Sequence, residues 1–253
     1  MVSDHNSWPE APEQPDCGAD DVHVWRAYLN QDGMTAQSLA DLLSPDEHQR
    51  AEQYHFQRDR EHFIVARGIL RTILSRYLNV PPGQLRFACN QYGKPALMRE
   101  AGDDGLRFNL SHANGLALYA VTFWREIGID VEFVREDFAS LTIAKRFFST
   151  DEVAMLHALP PKMRTSAFFS CWTRKEAYIK ARGEGLSRPL DCFTVSLVPG
   201  EPAALLRTGD DPEEGPRWSL IEVYPKQGYR AALAVEGNAD LHCWQWTGMR
   251  DRL

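Results

Sequence analysis

Two short acidic segments hold the residues whose types and spacing could do chemistry. In Gly128-Ile129-Asp130-Val131-Glu132 the two acids stand two positions apart. As a strand, this segment projects Asp130 and Glu132 from one face and sends Ile129, Val131 and Phe133 to the core. Carboxylates that close repel each other unless water or a cation sits between them. One or two carboxylates beside substrate phosphates are what Mg²⁺ uses. A solvated strand face would carry the same pattern. The second segment is Trp172-Thr173-Arg174-Lys175-Glu176-Ala177-Tyr178-Ile179-Lys180. At helical period, Trp172, Glu176 and Lys180 form one i, i+4, i+8 column. Phe168, Trp172 and Ile179 define its apolar arc, so Glu176 stands at the edge of that arc and wants a cation. The cation is either Lys180, in a helix pair worth about a few tenths of a kcal/mol, or a metal. Lys175 falls on the apolar arc, a place a purely solvated charge would not choose.

Phe108-Asn109-Leu110-Ser111-His112 reads as a polar turn after a strand. Its hydroxyl, imidazole and backbone N–H groups are suitable donors for a phosphate. A catalytic triad is the rival reading, but no G-x-S-x-G elbow surrounds Ser111. His112 alone reads more readily as structural than as functional. Between Gln49 and Arg76 stand Arg50, Arg58, Arg60, Arg67, Arg71 and Arg76 against Glu52, Asp59 and Glu61, a locally basic helix on an acidic chain. At about 100° per residue, Arg60, Arg67 and Arg71 share a sector about 40° wide, beside a stripe of Phe56, Phe63, Leu70 and Leu74. Arg58 and Arg76 point the other way. Three guanidiniums there suit a phosphate clamp, or are stems packed on an apolar rim. Lys94, in Gly93-Lys94-Pro95, adds another positive charge.

The elements that must position these groups follow from pattern and punctuation. Residues 1–21, rich in Pro, Asp and Glu, read as a mobile tail. Strands are expected at His23–Leu29, Leu85–Ala88, Phe108–Leu110 and Leu116–Phe123. A helix starting at Ser44-Pro45-Asp46-Glu47 and a long one over about Tyr54–Leu78 lie among them. The order then repeats: a strand at Ile127–Val134, helices at Ile143–Phe148, from the Ser149–Glu152 capping box, and over Arg164–Ala181, then strands at Phe193–Val198, Trp218–Tyr224, Tyr229–Val235 and His242–Trp246. Two α+β lobes, 22–125 and 126–253, are therefore expected.

Composition narrows the function classes. The chain has 253 residues, 43% hydrophobic and 25% charged, which suits a globular protein of one large or two small domains. No apolar run approaches the about 18 residues of a membrane span. A net charge of -7 disfavours nucleic acid as partner. Five scattered cysteines without a CxxC pair argue against a disulfide framework or structural zinc and fit a cytoplasmic location.

Taken in order, Tyr92-Gly93-Lys94-Pro95-Ala96-Leu97, Phe108-Asn109-Leu110-Ser111-His112-Ala113, Gly128-Ile129-Asp130-Val131-Glu132-Phe133 and Trp172 to Lys180 resemble the Sfp-type phosphopantetheinyl transferases. The resemblance spans about residues 54–198 and includes Ile143-Ala144-Lys145-Arg146-Phe147-Phe148. It implies a monomeric pseudo-dimer of two α+β lobes with the active site at their interface. It also implies transfer of the phosphopantetheine arm of coenzyme A to a serine of an apo acyl or peptidyl carrier protein, releasing adenosine 3′,5′-bisphosphate. By the same resemblance, Asp130, Glu132 and Glu176 would bind Mg²⁺. Glu176, or a water it holds, would deprotonate the serine, and Lys180 would stabilise the phosphates. Ser111 and His112 would hold the 3′-phosphate, helped by Lys94 and by Arg67 or Arg71. Glu152 is a further candidate near the metal. Carrier docking is expected at an apolar patch near the junction of the lobes, beside basic residues of the arginine helix. The rivals are a Mg²⁺-dependent nucleotide pyrophosphate hydrolase and a non-catalytic coenzyme A or carrier-binding protein.

Overall fold

In the computed structural model, which describes residues 8–98, 105–209, 211 and 213–248, the chain runs one course twice. The first pass is β1 (Asp21–Tyr28), helices α1 (Gly33–Ala40), α2 (Pro45–Glu52) and α3 (Gln57–Leu78), a small hairpin of β2 (Phe87–Cys89) and β3 (Pro95–Leu97), then β4 (Leu106–Ala113) and β5 (Leu116–Phe123). The second is β6 (Ile127–Phe133), helices α4 (Leu141–Phe147), α5 (Thr150–Ala158) and α6 (Pro161–Arg182), the short pair β7 (Thr194–Val195) and β8 (Leu205–Arg207), then β9 (Trp218–Val223) and β10 (Tyr229–Glu236). A last strand, β11 (Asp240–Gln245), closes the chain's course. In both passes the opening strand pairs antiparallel with the final one, which pairs antiparallel with the one before it, giving β1-β5-β4 and β6-β10-β9. Each pass also carries one 22-residue helix, α3 or α6. The architecture is the expected α+β pseudo-dimer.

Burial explains the layering. Ile69, Leu70, Ile73 and Leu74 of α3 pack on Trp25, Ala27, Tyr119 and Val121 of the first sheet. Phe168, Phe169, Tyr178 and Ile179 of α6 pack with Leu220, Ala232 and Ala234 of the second. The remaining faces share a third core of Val22, Val24, Leu116, Leu118 and Ala120 with Ile129, Val131, Leu233 and Val235. Covered on both sides, β5 reads as a nearly unbroken apolar run. Local signals stop and start the helices as read: Glu152 accepts from Ser149 N–H at 2.8 Å in the capping box of α5, and Gly183, at φ +68°, ends α6.

Gly128 sets how closely α6 lies on β6. A Cβ there would come within 2.1 Å of Ala177 O and 2.2 Å of Ala181 N, so only glycine lets strand and helix meet at this distance.

Four expectations are corrected. Ser111 and His112 are not in a turn: β4 runs through them to Ala113, and the turn is Asn114-Gly115, both at positive φ (44° and 80°) as a two-residue hairpin requires. Of the tail expected over 1–21, residues 1–7 lie outside the described residues, and the rest is fastened. Trp8 Nε1 donates to Tyr224 O at 3.0 Å, Gln245 N donates to Pro9 O at 2.7 Å, and Ala11 is buried. Phe56 leaves the expected stripe because it precedes the first turn of α3 and is 66% exposed. Finally, β11, expected in the lobe 126–253, pairs in parallel with β1 in the first sheet.

Candidate active site

The strand and helix periods place the acids as read. Ile129 and Val131 of β6 face the core between the sheets, so Asp130, Glu132 and Gly128 face α6. From α6 come Glu176 and Lys180. From β4, Asn109 and Ser111, two apart, reach across to β6: Asn109 Oδ1 accepts from Ile129 N–H at 2.9 Å and Ser111 Oγ donates to Asp130 Oδ1 at 2.9 Å. Asn109 thus supplies, by a side chain, a bond that a neighbouring strand would otherwise make. Lys180 Nζ donates to the same Asp130 Oδ1 at 2.6 Å and to Ser111 Oγ at 3.0 Å. Its ion pair is with Asp130, across the lobe, and not with Glu176 in its own helical column.

The cluster is short of positive charge. Asp130 is buried, and its second oxygen, Oδ2, has no hydrogen-bond partner. An orphaned carboxylate oxygen is costly to bury and is suited to a cation. Burial, and next the charge of Asp130, push both Glu132 and Glu176 up to about 7, with Lys180 offsetting part of this. Oxygen donors, partial burial and one lysine among three acids fit a hard divalent ion such as Mg²⁺. The three carboxylates converge without forming a closed clamp: among the described residues, the trio of potential ligands lying within 4.8 Å of one another is elsewhere, at Asp21, His23 and His242.

The raised acids predict a pH effect. In the unfolded chain both titrate near 4.5, and in the fold near 7. Between those values the folded state holds protons that the unfolded state has released, so stability falls as pH rises through this window and is level above it. Mg²⁺ binding to the ionised acids should restore stability mainly on the alkaline side. Thermal melts with and without Mg²⁺ at about pH 5.5 and about pH 8 check this; a gain no larger at the higher pH would contradict it.

Beside the acids opens a cleft of about 530 Å³, lined by Tyr54, Arg58, His62, His112, Glu132 and Arg135 among others. Desolvation within it, then the charges of Lys180 and His62, lower the pKa of His112. The other basic residues expected at a phosphate lie apart from this cleft. Lys94 donates to Glu126 Oε2 at 2.8 Å and to Ala181 O at 2.9 Å, in a second cleft of about 480 Å³ near the end of α6. Arg67 is buried, pairs with Glu47 at 3.1 Å and keeps Nη1 without a partner. Arg71 is wholly buried. All three of its nitrogens are engaged, with Glu47 at 2.8 and 2.6 Å, Pro82 O at 2.9 Å and Leu85 O at 3.0 Å, so none remains for a phosphate. The shared sector of the wheel was the core-facing one, and an acid of α2 was waiting there. Glu152 is likewise consumed: it pairs with Lys175 at 2.8 Å and accepts from Ser149 and Val195 N–H, away from Asp130. Arg58, set aside by the wheel, lines the cleft together with His62, and their i, i+4 spacing on the exposed start of α3 was the available signal. Arg135 had none.

Each pass of the chain matches a family model. A family model described as 4'-phosphopantetheinyl transferase superfamily matches residues 126–234, and one described as 4'-phosphopantetheinyl transferase, N-terminal, matches residues 30–123. The chain is 42% identical over 232 residues to 4'-phosphopantetheinyl transferase HetI of Nostoc sp. strain PCC 7120, covering 92% of this chain and 94% of that protein. It is 35% identical over 180 residues to putative 4'-phosphopantetheinyl transferase slr0495 of Synechocystis sp. strain PCC 6803, covering 71% of each. It is also 33% identical over 158 residues to 4'-phosphopantetheinyl transferase Sfp of Bacillus subtilis strain 168, covering 62% of this chain and 67% of that one.

Proposed function

The chain belongs to the 4'-phosphopantetheinyl transferase superfamily, and from that premise we propose how its residues move the phosphopantetheine arm of coenzyme A to a serine of an apo carrier protein. The observation that carries the assignment is the buried Asp130 carboxylate with its orphaned Oδ2, beside two acids held near neutrality. Asp130, Glu132 and Glu176 would hold Mg²⁺, which when bound supplies positive charge against the pyrophosphate oxygens as the adenosine 3′,5′-bisphosphate departs. Glu176, or a water it holds, takes the serine proton. The serine oxygen then attacks the phosphorus that bears the pantetheine arm, and the bond from that phosphorus to the bridging oxygen of the leaving group breaks. Lys180, already a donor to Ser111 and Asp130, turns to the phosphate oxygens. Ser111 and His112 hold the 3′-phosphate. Arg58, His62 and Arg135 replace Arg71 in that task because they line the same cleft as His112. Lys94 and Arg67 are retained as reserve cations, one beside a neighbouring cleft and one with an unpaired nitrogen. Exposed Phe56, next to exposed Arg58 and Arg60, offers the carrier an apolar contact framed by positive charge.

Ser111 of the first pass and Asp130 and Lys180 of the second meet within one chain, which suits a monomer, and the five free cysteines suit the cytoplasm. Incubation with coenzyme A, Mg²⁺ and an apo carrier protein, followed by weighing of the carrier, tests the reading. Covalent gain of the arm is expected. Free phosphopantetheine beside an unmodified carrier would mean hydrolysis instead, and the absence of any turnover would mean binding alone.

A further inference from the structure

A second group of ligating side chains is assembled on the first sheet by strand register. Asp21 and His23, two apart on β1, point the same way, and His242 of β11 is the register partner of His23. One ligand atom from each lies within 4.8 Å of the other two. The ion pair within the trio, His242 Nε2 to Asp21 Oδ1, measures 3.2 Å.

The surroundings hold each member in place. Asp21 Oδ2 accepts from Gly18 N–H at 2.7 Å, which leaves Oδ1 turned to the histidines. His23 Nδ1 lies 2.8 Å from the hydroxyl of Tyr77, which itself accepts from Trp25 Nε1 at 2.8 Å. With a metal on Nε2, His23 Nδ1–H donates to that hydroxyl, the kind of support that fixes the tautomer of metal-binding histidines. His242 stacks on Trp244 at an interplanar angle of 9° and meets His23 edge-on at 5.3 Å. His23 is buried, whereas the side chains of His242 and Asp21 are 44% and 27% exposed. The group therefore has a closed floor and an open mouth.

Two imidazoles and one carboxylate are a donor set for zinc and its transition-metal neighbours, whereas Mg²⁺ prefers oxygen alone. Three protein ligands with an open side leave a fourth position for water or another small donor. We propose that Asp21, His23 and His242 bind one divalent transition-metal ion, of which zinc is the type, and that the ion clips β11 to β1. The site shares no residue with the acids of β6 and α6, so the proposal stands apart from the transferase reading.

The test uses the full chain, stripped with a chelator, with Mg²⁺ then present in excess. Titration with Zn²⁺ by calorimetry should give one ion per chain, and Zn²⁺ should raise the melting temperature. His242→Ala removes a half-exposed side chain and should weaken Zn²⁺ binding about a hundredfold. Asp21→Asn should weaken it at least about tenfold, and both variants should lose the thermal gain. Asp130→Ala should leave Zn²⁺ affinity and the thermal gain as they are. Absence of Zn²⁺ binding, equal binding by His242→Ala, or loss of binding in Asp130→Ala would each overturn the proposal.

Discussion

Replacing Asp130 with alanine is expected to lower transfer to an apo carrier about a thousandfold or more while leaving the protein folded. The size follows from several kcal/mol of charge stabilisation, at about 1.4 kcal/mol per tenfold in rate. The sign on stability follows from the neighbours. Asp130 raises the pKa of both Glu132 and Glu176, so its removal relieves them, and it takes away the orphaned Oδ2 as well. Lys180 and Ser111 lose their shared acceptor, but Lys180 is partly exposed and can turn to water. Asp130→Asn separates charge from shape, since an amide can keep the bonds from Ser111 and Lys180 without the negative charge. Both variants should fail in the carrier-mass assay and melt within a few degrees of the parent. Transfer retained by Asp130→Ala would sink the assignment of this carboxylate to the reacting site.

The second large effect is on stability. Lys175 and Glu152 have no solvent exposure and pair at 2.8 Å, and the lysine also donates to Leu190 O at 2.7 Å and Phe193 O at 2.6 Å. Lys175→Met leaves the Glu152 charge buried and two carbonyls without a donor, at a cost of about 3–5 kcal/mol. For a chain of this size the melting temperature should drop on the order of 10 °C. Combining it with Glu152→Gln removes the stranded charge and should recover part of the loss. A single variant that melts within about 2 °C of the parent, or a double variant no better than the single, would show that the pair does not hold α5 and α6 together. Melting is the necessary readout, because Lys175 adjoins Glu176 and activity alone would confuse the two roles.

The acids were legible because their placement is a local matter. A period of two in β6 and of 3.6 in α6 decides which side Asp130, Glu132 and Glu176 take, whatever packs above them. Lys175 on the apolar arc was a correct sign of burial, although its partner, Glu152, lay on another helix. The basic helix failed for the complementary reason. A wheel identifies the sector that Arg67 and Arg71 share, but not that Glu47 occupies the space in front of it. Asn109 and Ser111 looked like turn residues because both are polar. Their polarity instead serves a crossing from β4 to β6 that no spacing along the chain encodes. The partner of β11 was equally hidden, since alternation reports a strand and its faces but not which distant strand it joins.

That parallel pairing of β11 with β1 has a consequence for biosynthesis. A chain emerging from the ribosome has β1, β4 and β5 early, but one margin of β1 stays open until β11 has been made. The second sheet needs nothing later than β10, so it can close before the first is complete. The half made first is thus the half finished last, and the margin of β1 that β11 will cover stays unpaired until β11 emerges, open to association with other chains.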